Sequence, residues 1–91
     1  MILAASLAFL AQAQQPPPGP APETEEGRAR QCQAAVRQNP EAALATANRW
    51  RASGGGLLAR QCIGLAYVAL ERWTLAATTF EQAAQEAERA S

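Results

Sequence analysis

The side chains that could carry chemistry are few. Eight Arg and eight Glu supply every charge on this 91-residue chain, and it has no His, Asp or Lys. That removes the commonest general base, the lysine of Schiff-base and phosphate-loop chemistry, and most metal-ligand sets. Two cysteines remain, Cys32 and Cys62. They could form a disulfide, or lie buried as free thiols that act as small apolar residues. They are not in a Cys-x-x-Cys arrangement, which argues against a redox pair, and two thiols are too few to hold a metal. Gly54-Gly55-Gly56 precedes a helical stretch, as phosphate cradles do. No Lys or Ser/Thr follows it and no strand precedes it, so it reads as a flexible turn between helical hairpins. Arg49-Trp50-Arg51 mixes charge with an aromatic ring, as some nucleic-acid sites do. Trp50 falls on an apolar stripe and the net charge is +0, so core packing with solvated arginines is the better reading, and no nucleic-acid partner is expected. Glu25-Glu26, and Glu86 with Glu88, read as first-turn or surface charges rather than an acid/base couple. Neither an enzyme nor a cofactor is expected.

The elements that would position these residues are helical. Alanine dominates the 48% apolar fraction and aromatics make up only 5%. Alanine, Glu, Gln, Arg and Leu are good helix formers, while β-branched and aromatic residues are too sparse for sheets. The expected class is all-α, with helices that approach closely because their contact faces are small.

The front of the chain reads as an address. Residues 1–13 contain the apolar run Met1 to Ala11 and the small-x-small pattern Ala11-Gln12-Ala13, which together suit an export signal cleaved before Gln14. The run is shorter than the roughly 20 residues of a membrane-spanning helix, so no stable span is expected after cleavage. It lacks the usual preceding Lys or Arg. Residues 14–22, with Pro16, Pro17, Pro18, Pro20 and Pro22, form an extended proline-rich linker. The expected location is exported, periplasmic or secreted. Residues 23–91 are left to fold, a length at which one hydrophobic core is marginal.

Four helices are expected in two hairpins. In the first, Ala29, Cys32, Ala35 and Val36 recur at three-to-four spacing. Asn39-Pro40-Glu41 then ends one helix near Gln38 and starts the next, because Asn is a strong N-cap, Pro suits the first helical position and Glu complements the helix dipole. That second helix carries Ala43, Leu44, Ala47 and Trp50 on one face and ends at Ser53-Gly54-Gly55-Gly56. Leu57 to Leu70 forms a third helix, apolar on most sides, which needs neighbours on more than one side. A fourth runs from about Trp73 to Arg89, with Ala76, Phe80, Ala83, Ala84 and Ala87 as its inner stripe. Short connections make consecutive helices antiparallel.

An internal repeat organises these hairpins. Ala29-Arg30-Gln31-Cys32 and Ala59-Arg60-Gln61-Cys62 stand 30 residues apart, each opening the first helix of a hairpin. Gly64, Tyr67, Trp73, Ala76, Phe80 and Ala83 make a small-aromatic pattern that resembles the tetratricopeptide repeat. The match covers residues 57–90 well. Residues 23–53 form a degenerate first hairpin, in which Ala43, Ala47 and Trp50 imitate Ala76, Phe80 and Ala83 at an offset of 33. Arg60 stands where the family often has Trp, Ile63 replaces Leu, and Glu88 replaces a terminating Pro. In physical terms, Gly64 lets the two helices of its hairpin cross closely. Ala76 and Ala83 are the small partners on the returning helix, and Tyr67, Trp73 and Phe80 fill the space toward the next hairpin. Two hairpins leave those rings partly uncovered, since about three repeats are usual for stability.

The resemblance implies a short solenoid of two stacked antiparallel hairpins. It also implies first helices lying side by side, which would bring Cys32 near Cys62; the disulfide and the free-thiol readings both remain open. In such proteins the first helices line a concave surface that holds an extended peptide or a partner helix. Leu58, Gln61, Leu65, Val68 and Arg72 would supply that groove. The expected function is therefore a non-enzymatic interaction or scaffold module acting on a protein or peptide of the cell envelope. The alternative is a small disulfide-linked helical subunit that homo-oligomerises through its exposed apolar end. Further repeats beyond residue 91 are also expected on this reading.

Overall fold

A computed structural model describes residues 24–91, and everything among them is helix or tight turn. The signal and linker assigned to residues 1–22 lie outside the described residues. Helix α1 is Glu25–Gln38, α2 is Pro40–Trp50, α3 is Gly56–Ala69 and α4 is Trp73–Ala90. Each end is set by local chemistry. The Thr24 hydroxyl accepts from the Gly27 N–H at 2.9 Å and caps α1, with Glu25 and Glu26 in the first turn and Arg37 in the last, as the helix dipole favours.

One residue separates α1 from α2. Asn39 donates its N–H to the Ala35 carbonyl at 2.8 Å, closing α1, and its side-chain oxygen accepts from Ala42 N–H at 3.1 Å, opening α2. Its backbone (φ −156°, ψ 88°) is extended, which is what a residue before proline prefers. The elbow is therefore dictated by two adjacent residue types.

The triple glycine is not a slack tether. The chain leaves α2 through a wide π-type turn over Arg51–Gly55. Gly54 and Gly56 take φ of +103° and +58°, a region that costs L-residues roughly 1–2 kcal/mol. Gly55 is buried for a different reason: a Cβ there would lie 2.6 Å from the Trp50 ring and 2.8 Å from Ala59.

Helix α3 is the centre of the molecule. It packs against α1, α2 and α4, while α4 packs almost wholly on α3. This explains why α3 is apolar on most sides. The core joins Cys32 and Val36 of α1, Ala43, Leu44, Ala47 and Trp50 of α2, and Ala59, Cys62, Ile63 and Ala66 of α3. Alanines at its centre allow close helix approach, since packing is dense only where side chains fit the gap. The expected α2 stripe is buried residue for residue.

The α4 stripe is rotated from expectation. Ala76 and Ala83 are buried, but the third buried position is Thr79, whose hydroxyl donates to the Leu75 carbonyl at 2.7 Å. Ala84 and Ala87 are exposed, and Phe80 keeps 37% of its surface in water. A helix supported by a single neighbour buries a narrow strip, so most of its apolar residues stay uncovered. Between α3 and α4, Arg72 N–H bonds to the Tyr67 carbonyl and Glu71 N–H to that of Val68. This is a Schellman cap with Glu71 at φ +58° in the position glycine usually takes.

Candidate functional site

Four contacts lock the helices into one platform. Cys32 of α1 and Cys62 of α3 form a disulfide with Cα atoms 6.2 Å apart. It joins the first helices of the two hairpins, which lie side by side. Closing 30 residues, it contributes about 3.5 kcal/mol in the chain-entropy treatment. The Trp50 indole N–H donates to Glu25 at 3.2 Å, tying the end of α2 to the start of α1. The Arg60 guanidinium pairs with Glu86 and donates to Gln82 at 2.9 Å, pinning α4 on α3. Arg72 donates to Glu41 at 3.1 Å. That last pair is exposed and adds little.

The repeat-signature residues come together as follows. Gly64 lies under the Phe80 ring: a Cβ on Gly64 would meet Phe80 Cε1 and Cζ at 2.6 Å. Ala76 and Ala83 are buried on the same returning helix. Tyr67 departs from expectation: it is half-buried on the core and lines the cleft shared with Asn48 and Arg51, so it faces the preceding hairpin and not the side of a next one. Trp73 leaves 59% of its surface exposed. Gly64, its alanine partners and the Phe80 ring that covers it thus sit at the α3–α4 crossing, while Trp73 projects from its outer flank. That flank faces away from α2, because Thr79 and Gln82, on the opposite side of α4, share a polar cleft with Asn48 and Arg51.

The proposed groove strip on α3 is mostly solvent-facing. Gln61 is exposed, as are Leu65 (38%) and Val68 (39%). These residues recur at four and three positions, so they share one helix face. Leu58 departs from expectation: it is half-buried and packs against the core. Arg72 ends the strip, with its charge directed to Glu41.

A second concavity was not foreseen from the sequence. A groove of about 710 Å³ runs between α1 and α2, on the side of that hairpin opposite α3. Cys32, Ala35, Ala43 and Trp50 form its floor, with Arg28 and Arg49 on its edges. The available signal was the small residues that line it, Ala35 on α1 and Ala42 and Ala43 on α2. No helix among the described residues is long and apolar enough to cross a membrane. Comparison with protein-family models, curated proteins and solved structures finds no match.

Proposed function

We propose that this chain is an exported, non-enzymatic interaction module, built as a short tetratricopeptide-type stack, that presents α3 to a protein or peptide of the cell envelope. The observation that carries this reading is the uncovered face of Gln61, Leu65 and Val68 on the best-supported helix of the molecule. Solvent-facing aliphatic side chains on a rigid helix supply the apolar anchors that groove-binding peptides and helices use. The disulfide and the Arg60–Glu86 pair hold that face in one geometry, which lowers the ordering cost of binding. Gln61 and Arg72 provide polar ends that would orient an extended segment. The close Gly64–Phe80 crossing supports the repeat-type stacking, and the apolar run at residues 1–13 supports the export route.

The experiment is a capture assay from envelope extracts with the full chain as bait, followed by quantified binding of the captured species by calorimetry. Leu65→Asp combined with Val68→Asp alters only exposed positions and should abolish binding, whereas Thr78→Asp on the outer face of α4 should leave it unchanged. Undiminished binding by the Leu65/Val68 double variant would refute the assignment of this face.

A further inference from the structure

The two ends of the helical stack are complementary to each other. One end carries projections. On α4, Trp73, Phe80, Ala84 and Ala87 recur at seven, four and three residues and form an apolar edge from which Trp73 stands out, while Phe80 is partly covered where its ring lies over Gly64. Trp73 and Phe80 stand about 10 Å apart along the helix axis. Glu81 and Glu88 flank this edge, lying one helical turn beyond Ala77 and Ala84.

The other end carries the matching depression. The groove between α1 and α2 extends from Arg28 to Gln38 on one helix and from Ala42 to Arg49 on the other, a run of about 10–15 Å. Half of its lining is small, Gln31, Gln38 and Asn39 add polar groups, Trp50 lies on the floor, and its charged members among the described residues are Arg28 and Arg49. Bulk meets space and glutamate meets arginine, and like charges oppose any pairing of either end with itself.

We infer that the α4 edge of one chain docks in the α1–α2 groove of a second copy, head to tail. Such a contact is heterologous, so each added copy leaves one projection and one groove free, and the assembly grows without closing at two. Trp73 and Phe80 have 59% and 37% of their surface left to bury, less than the roughly 150–250 Å² of a wholly exposed aromatic side chain, which places the contact with small, transient interfaces below roughly 1,200 Å². Association is therefore expected at high micromolar concentration rather than at nanomolar. This surface is distinct from the α3 face above, and the inference stands or falls separately from the proposed partner binding.

Sedimentation equilibrium of the full chain, from micromolar to millimolar concentration, tests it with two single-end variants. Trp73→Glu removes the projection, and glutamate at the first turn of α4 suits that helix end. Ala42→Glu fills the groove at an exposed position, where glutamate completes a capping box with Asn39. The wild type should grow past twice the monomer mass without a plateau. Each variant alone should stay at monomer mass, and an equimolar mixture should form a two-chain species and nothing larger, because one good projection meets one good groove. Residues 1–23 are common to all three proteins, so differences among them report the two ends. A wild type that stays monomeric throughout, a plateau at two chains, a variant that grows as the wild type does, or a mixture that fails to pair would each overturn the inference.

Discussion

Replacing Gly64 with Ala should change sign with its neighbour. In the native protein the new Cβ would stand 2.6 Å from two carbons of the Phe80 ring and 3.0 Å from a third. Comfortable carbon–carbon separation is about 3.5–4.0 Å, so the ring or α4 must retreat by about 1 Å. Overpacking of this kind costs about 1–3 kcal/mol. Against it, alanine in a helix interior is favoured over glycine by about 0.5–1 kcal/mol. The collision wins, and Gly64→Ala should destabilise by about 0.5–2 kcal/mol. In a Phe80→Ala background the ring is gone and only the helix preference remains, so the same change should stabilise by about 0.5–1 kcal/mol. The coupling between the two sites is then about 1–3 kcal/mol, as expected of side chains in direct contact. Urea unfolding of the four proteins, read by far-UV circular dichroism at constant m-value, measures the cycle. If Gly64→Ala raises the midpoint equally in both backgrounds, the ring yields without cost and the close crossing of α3 and α4 is not a source of stability.

Three further outcomes follow from the caps and the bridge. Reduction of Cys32–Cys62 should lower the unfolding free energy by about 3.5 kcal/mol, a large part of what a domain this small possesses; paired urea curves with and without reductant would show it, and a loss under about 1 kcal/mol would count against the restricted entropy of the unfolded loop as its origin. Asn39→Ala should cost about 1 kcal/mol, seen as a drop in midpoint with little change in helix content at low denaturant. Glu71→Gly should stabilise by about 0.5–1 kcal/mol, because glycine occupies the left-handed position of the Schellman cap without its Cβ penalty; a lower thermal midpoint would contradict that account.

Much of the architecture was legible because its punctuation is local. Asn39-Pro40 fixes both ends of an elbow through its own backbone and side chain, and the Ala43, Leu44, Ala47 and Trp50 stripe is buried as its spacing requires. The α4 stripe was not legible, for two reasons. Thr79 satisfies its hydroxyl on the Leu75 carbonyl, so a polar residue is buried at little cost. Phe80 reads as core by type, yet it covers Gly64 from the edge of the stack. The glycine run likewise hides three separate demands, two of backbone sign and one of space beside Trp50. The cysteines illustrate a different limit. Their count and type allow two states, and only the side-by-side placement of α1 and α3 selects the bridge. The α1–α2 groove depends on what does not pack there, and hydrophobic periodicity reports only what does.

The bridge also divides the molecule by topology. The covalent loop from Cys32 to Cys62 encloses α2 and the glycine turn, whereas residues 73–90 hang outside it and lean on a single neighbour. Opening of the terminal rod therefore releases no part of the ring, and its amides should exchange with deuterium long before those inside. A chain caught in that half-open condition would bare Gly64 and the flank of the central rod while its disulfide-closed half stayed native.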